Sequence, residues 1–159
     1  MKRYAMQHLI EWKEDPGHLP MIIRGARQVG KTWLMKEFGR TEFEKYAYIN
    51  FDRNSRMKQL FSGDFDVDRI LRGLSIESEV EIAPEDTLII LDEIQEVPAA
   101  LQSLKYFCED DRQRYNIVAA GSLLGISMHE GTSFPVGKVD SMDLYPLSFT
   151  EFLDATGNG

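Results

Sequence analysis

Leu19-Pro-Met-Ile-Ile-Arg-Gly-Ala-Arg-Gln-Val-Gly-Lys-Thr32 is the stretch on which the reading of this chain turns. Its first half is a short apolar run suited to a buried β-strand, Leu19–Arg24. Its second half, Gly25-Ala26-Arg27-Gln28-Val29-Gly30-Lys31-Thr32, matches G-x-x-x-x-G-K-[ST] at every fixed position. Gly25 and Gly30 allow backbone angles that a side chain forbids, so successive N–H groups can turn inward around a phosphate. The helix that follows directs its positive N-terminal end at the same anion. Lys31 supplies a point charge to the β- and γ-phosphates, and the Thr32 hydroxyl is a hard oxygen ligand suited to Mg²⁺. Ala26, Arg27, Gln28 and Val29 lie within the loop and Trp33 follows it, so Gly25 to Trp33 is the candidate cofactor-binding segment. Arg27 has three open readings: a phosphate, a neighbouring subunit, or solvent.

The pattern of the loop's neighbours repeats along the chain. Short apolar runs alternate with amphipathic stretches, the mark of an α/β domain with a mainly parallel sheet. Strands are expected at 19–24, 46–51, 87–92 and 115–120, with a weaker fifth at 139–145. Helices are expected at 3–13 (Met6, Leu9, Ile10 and Trp12 inward), 31–38 (closed by Gly39 in the C-terminal position), 66–74 and 98–108. Five strands with helices on both faces make a three-layer sandwich. Ser148-Phe-Thr-Glu151 reads as a capping box with Leu147 and Phe152 as its staple, so a helix opens close to the last residue. That is the expectation for one domain, residues 1–159, forming the N-terminal part of something longer.

Leu88-Ile-Ile-Leu-Asp-Glu93 has the form of a Walker B strand, four apolar residues closed by two carboxylates. Asp92, at the carboxyl end of its strand, is placed to hold Mg²⁺ on the same side of the sheet as the phosphate loop. Glu93 is placed to orient or deprotonate an attacking water. Lys31 and Glu93 are therefore the catalytic candidates, and Thr32 and Asp92 the metal-ligating ones. ATP with Mg²⁺ is the expected cofactor pair. Gln95 and Glu96 read as loop and helix-cap chemistry. Ser122, after the fourth strand, is either a polar sensor near the γ-phosphate or part of a plain turn. Lys138, Arg112 and Arg114 are unranked candidates for a remote cation, and His129 reads as solvated.

Composition narrows the classes. The 159 residues carry a net charge of −8, which argues against non-specific nucleic-acid binding by the domain as a whole. The charge is uneven, with 12 Lys/Arg against 7 Asp/Glu in residues 1–60 and 6 against 19 in residues 61–159. The single cysteine, Cys108, forms no intramolecular disulfide and reads as a small buried hydrophobe beside Leu101 and Leu104. No apolar run approaches the ~18 residues of a membrane span. The N-terminus is too charged for a signal peptide, so the expected location is cytoplasmic, with no membrane partner. A guanine-reading Asn-Lys-x-Asp segment is absent, and Lys138 is the only Lys/Arg after residue 121, which leaves little for a kinase's basic lid.

Four segments in order carry a family resemblance: Gly25–Thr32, Leu88–Gln95 with its Asp-Glu-Ile-Gln, Ala120-Gly-Ser-Leu-Leu-Gly125, and Phe134–Lys138 followed by Tyr145-Pro-Leu-Ser-Phe-Thr-Glu-Phe152. From about Leu9 to Ala155 the chain resembles the AAA-like ATPase domain of a large family of bacterial and archaeal ATP-binding proteins. The resemblance implies a P-loop NTPase sheet of order 5-1-4-3-2, Glu93 as the catalytic carboxylate and Ser122 at the sensor position. Members usually carry a C-terminal region with a nuclease-like domain, so that region or self-association is the implied partner. An ATPase that turns ATP over to ADP and phosphate, weakly in isolation, is the leading expectation. A nucleotide-gated switch with little intrinsic hydrolysis is the alternative.

Overall fold

The computed structural model describes residues 2–25, 30–109, 115–121 and 137–144. Helix α1 (Lys2–Glu14) is followed by β1 (Met21–Arg24), α2 (Lys31–Glu42) and β2 (Lys45–Asn50). Next come α3 (Ser55–Phe61), α4 (Val67–Ser78), β3 (Thr87–Asp92), a 3₁₀ turn (Ile94–Glu96), α5 (Pro98–Glu109), β4 (Asn116–Gly121) and β5 (Asp140–Asp143). The strands form one sheet of order β2-β3-β4-β1-β5, which read from the other edge is the expected 5-1-4-3-2. All four pairings are parallel.

Side chains leave a strand on alternating sides, and here that alternation sorts the core into two. Ile22, Ile89, Leu91, Ile117 and Ala119 join Ile70 and Leu74 of α4 and Leu101 and Leu104 of α5 on one face. Met21, Ile23, Leu88, Ile90, Val118 and Ala120 join Leu9 of α1 and Leu34 and Phe38 of α2 on the other. Every residue of β3 is buried, as an apolar strand covered on both faces should be. Trp12 is buried with the second cluster, and its ring N–H donates to the Leu19 carbonyl at 2.7 Å, tying α1 to the entry of β1.

Two local expectations are corrected. Helix α2 does not stop at Gly39; it runs on to Glu42, and Gly39 is a buried interior residue. A Cβ built there would lie 2.7 Å from Cβ of Tyr46 on β2. The glycine therefore permits a close helix–strand approach and is no terminus, a distinction that needs the neighbouring strand. Helix α3 lies where no helix is expected. It is seven residues, about two turns, long, capped by Asn54, whose side chain accepts from the Met57 N–H at 3.1 Å, and it buries only Met57 and Phe61. Asn54 and Arg56 also donate to the Glu77 carboxylate at 3.1 and 2.8 Å, joining α3 to α4. Cys108 is half-buried, because α5 turns Leu101, Leu104 and Phe107 more squarely to the core. The capping box at 148–151 and His129 lie outside the described residues.

Candidate functional site

The carboxyl ends of the strands line up on one edge of the sheet: Arg24 is opposite Gly121 and Asp143, and Asn50 is opposite Asp92. Open parallel sheets place ligands beyond this edge. Gly25, buried, continues β1 and donates its N–H to the Gly121 carbonyl at 3.3 Å, which sets the start of the phosphate-loop segment beside the end of β4. Gly30 returns the chain to α2 with φ 91° and ψ 20°, a left-handed conformation that costs a glycine little and other residues more. Gly30 also accepts the first helical hydrogen bond, from the Leu34 N–H at 3.0 Å.

Lys31 and Thr32 open α2. Lys31 is only 6% exposed, and its Nζ donates to the Gly25 carbonyl at 2.9 Å, which folds the ammonium back across the mouth of the loop. The Thr32 hydroxyl donates to Asp92 Oδ2 at 2.5 Å, joining residues 60 positions apart. Asp92 is 3% exposed, and a buried carboxylate is tolerable only when hydrogen-bonded. It accepts from Thr32 and from the Tyr48 hydroxyl (2.7 Å) on Oδ2, and from the Glu93 N–H (3.0 Å) on Oδ1. Thr32 and Asp92 thus place a neutral and an anionic hard oxygen side by side next to the phosphate loop. A metal that keeps several waters and takes one or two protein oxygens plus phosphate oxygens, as Mg²⁺ does, fits that donor set.

Tyr48 was invisible to sequence reasoning. It lies on β2, next to β3, and its hydroxyl reaches the acid at the end of that strand. Lys36, one turn after Thr32, sits 4.1 Å over the Tyr48 ring and braces it from α2. Burial and then the adjacent Asp92 carboxylate push the Tyr48 hydroxyl well above the ordinary tyrosine range, so it stays a neutral donor at physiological pH. The sequence signal, an aromatic in a strand, is indistinguishable from ordinary core.

Glu93 follows at a sharp corner with φ 57° and ψ 43°, a left-handed conformation uncommon outside glycine. The corner ends β3 and starts the 3₁₀ turn. Gln95, on that turn, donates from Nε2 to Glu93 Oε2 at 2.6 Å, and Gln95 is buried at 8% exposure. Loop and cap chemistry was the expected role, so this pairing is a second feature missed. Trp33 is 49% exposed on the first turn of α2. Ala26, Arg27, Gln28, Val29, Ser122, Arg112 and Arg114 lie outside the described residues. Lys138 pairs with Glu109 at 3.3 Å, and Arg24 with Asp143 at 2.8 Å.

With this geometry in hand, comparison with known families finds that a model described as an AAA domain matches residues 18–153. The chain belongs to the AAA domain family. It is thus a domain of the ATP-binding P-loop kind. A search of curated proteins finds no match. Among solved structures, this AAA domain is similar to the ORC2 protein of Aeropyrum pernix in its ADP form, with TM-score 0.56 and 16% identity over 97% of this chain and 50% of that one. It is also similar to Cdc6p of Pyrobaculum aerophilum, with TM-score 0.54 and 14% identity over 99% of this chain and 48% of that one. A third likeness is to the ORC1 protein of Aeropyrum pernix in complex with DNA, with TM-score 0.55 and 15% identity over 98% and 48%. The chain spans about half the length of these structures, and at such identities the likeness is one of fold. Among the described residues no helix is long and apolar enough to cross a membrane.

Proposed function

We propose that this AAA domain binds ATP with Mg²⁺ between the phosphate loop and the end of β3, and hydrolyses it to ADP and phosphate. The observation that carries the reading is the 2.5 Å contact between the Thr32 hydroxyl and the buried Asp92 carboxylate, with Lys31 beside it. Nothing in a packing role calls for a hydroxyl, a buried acid and a buried ammonium together at the open end of a parallel sheet. Gly25 to Trp33 bind the nucleotide's phosphates, and Lys31 leaves the Gly25 carbonyl to meet the β- and γ-oxygens. Thr32 and Asp92 would hold Mg²⁺, which when bound would supply positive charge to the phosphates. Glu93 takes a proton from water as the water oxygen bonds to the γ-phosphorus. The bond from that phosphorus to the bridging oxygen breaks, and the electron pair leaves with ADP. Ser122, after β4, is assigned the polar sensor role.

The whole chain, residues 1–159, acts as one domain of a longer protein. A C-terminal region, including a nuclease-like domain, or a second copy supplies what completes the transition state. Glu93→Gln tests the reading most directly. It keeps the size and hydrogen bonding of the side chain but cannot accept the water proton. Mg-ATP should bind with unchanged affinity while phosphate release falls by roughly 10²-fold or more. Release at the wild-type rate would remove Glu93 from the mechanism.

A further inference from the structure

Glu93 is not left to find its own orientation. The left-handed corner at Glu93 and the 3₁₀ turn behind it, closed by the Glu96 N–H to the Glu93 carbonyl at 3.1 Å, bring the side chains of residues 93 and 95 to the same side. Gln95 Nε2 then donates to Glu93 Oε2 at 2.6 Å, a charge-assisted bond, with a second and much weaker approach to Glu96 Oε2 at 3.5 Å. The amide has one workable orientation, since flipping it would press its carbonyl against the carboxylate.

The other end of that amide distinguishes function from packing. Gln95 Oε1 is buried and has no hydrogen-bond partner among the described residues. A glutamine serving as a cap or turn brace would have its carbonyl paired, and one serving only to fill space would be better replaced by methionine or leucine. What this side chain does in the structure is hold one oxygen of Glu93.

We propose that Gln95 is a positioning residue for Glu93. This rests on the hydrolytic reading above. Its amide occupies Oε2 of the carboxylate and so presents Oε1 to the attacking water, fixing the base before nucleotide arrives. The residue touches no reacting atom itself.

The test measures Mg-ATP affinity by calorimetry and kcat for phosphate release in wild type, Gln95→Met and Gln95→Glu, with Gln95→Met also placed in the Glu93→Gln background. Gln95→Met preserves volume and removes the donor; it should bind Mg-ATP normally and lose roughly 10-fold or more in kcat. Gln95→Glu also removes the amide donor and sets a second carboxylate beside Glu93, so it should bind Mg-ATP and lose kcat to at least the same degree. In the Glu93→Gln background Gln95→Met should add no further loss, because a residue acting through the base has nothing left to act on. Unchanged kcat in both single variants would overturn the proposal. A rise in kcat would also overturn it, making Gln95 a latch. So would a full extra loss in the double variant, which would mark a structural role. If Gln95→Met does not fold, kcat and Mg-ATP affinity of Gln95→Glu, which also lacks the donor, decide by the same criterion. Failure of the hydrolytic reading itself looks different: Glu93→Gln then keeps the wild-type rate, whatever Gln95 does.

Discussion

Replacing Lys31 by alanine separates the fold from the ligand. In the structure the ammonium is buried and donates to the Gly25 carbonyl at 2.9 Å. Its removal deletes that charge-assisted bond, at about 1.5–3 kcal/mol, and relieves the desolvation of a buried charge, so the two effects oppose each other. The melting temperature without ligand should therefore move by no more than the equivalent of about 1 kcal/mol. With Mg-ATP the balance changes. Hydrogen bonds to charged groups contribute about 1.5–3 kcal/mol each, and Lys31 serves both the β- and γ-phosphates. Losing about 3–4 kcal/mol weakens binding by roughly 10²–10³-fold. At a ligand concentration of about 100 times the wild-type Kd, wild type gains about 2.7 kcal/mol of stability. For a domain of this size that is a rise of about 5–11 °C. At the same concentration Lys31→Ala should gain less than about 0.5 kcal/mol, a rise under about 2 °C. Thermal denaturation with and without Mg-ATP reads both quantities at once. A variant that keeps the full ligand-induced rise would refute the placement of the phosphates at Lys31. A variant that collapses without ligand would show that the lysine is chiefly structural.

Tyr48→Phe removes a donor to the buried Asp92 carboxylate and should cost about 1.5–3 kcal/mol in thermal stability near neutral pH. Because the folded Tyr48 hydroxyl titrates far above its unfolded value of about 10, its contribution is complete below that pH and lost as pH rises toward the folded value. Melting curves between about pH 9 and 11 should fall more steeply for wild type than for Tyr48→Phe; parallel falls would contradict the sign. Gly39→Ala gains up to about 1 kcal/mol of helix propensity but forces a Cβ to within 2.7 Å of the Tyr46 Cβ, at about 1–3 kcal/mol for overpacking. A net loss of up to about 2 kcal/mol is expected, and a raised melting temperature would show the α2–β2 contact to be loose. Hydrolysis by the isolated domain should be slow and should rise per molecule with protein concentration or in a longer chain. Of the cations near the strand ends, Arg24 is engaged by Asp143 and Lys138 by Glu109, and an arginine finger in trans contributes about 10³–10⁵. A fast rate, flat across a hundredfold dilution, would place the finger inside this chain.

The amino-acid sequence by itself determined what is local or periodic. Gly25, Gly30, Lys31 and Thr32 are legible because the phosphate loop's geometry needs those residue types at fixed spacing along one segment. Asp92 and Glu93 are legible because an apolar run closed by acids marks the end of a buried strand. The five strands and their helices follow from alternating periods, and the sheet order from the family resemblance. Helix α3 escaped because seven residues offer too little period, despite its Asn54 cap. Gly39 misled because a glycine ending a helix and a glycine admitting a neighbouring strand look the same until Tyr46 is beside it. Tertiary structure alone decided that Tyr48 donates to Asp92, since that depends on β2 being the strand next to β3. It alone decided that Gln95 grips Glu93, since the grip depends on a left-handed corner at a glutamate. A motif records which atoms a ligand needs, while the groups that hold those atoms in place come from whichever elements the fold packs beside them.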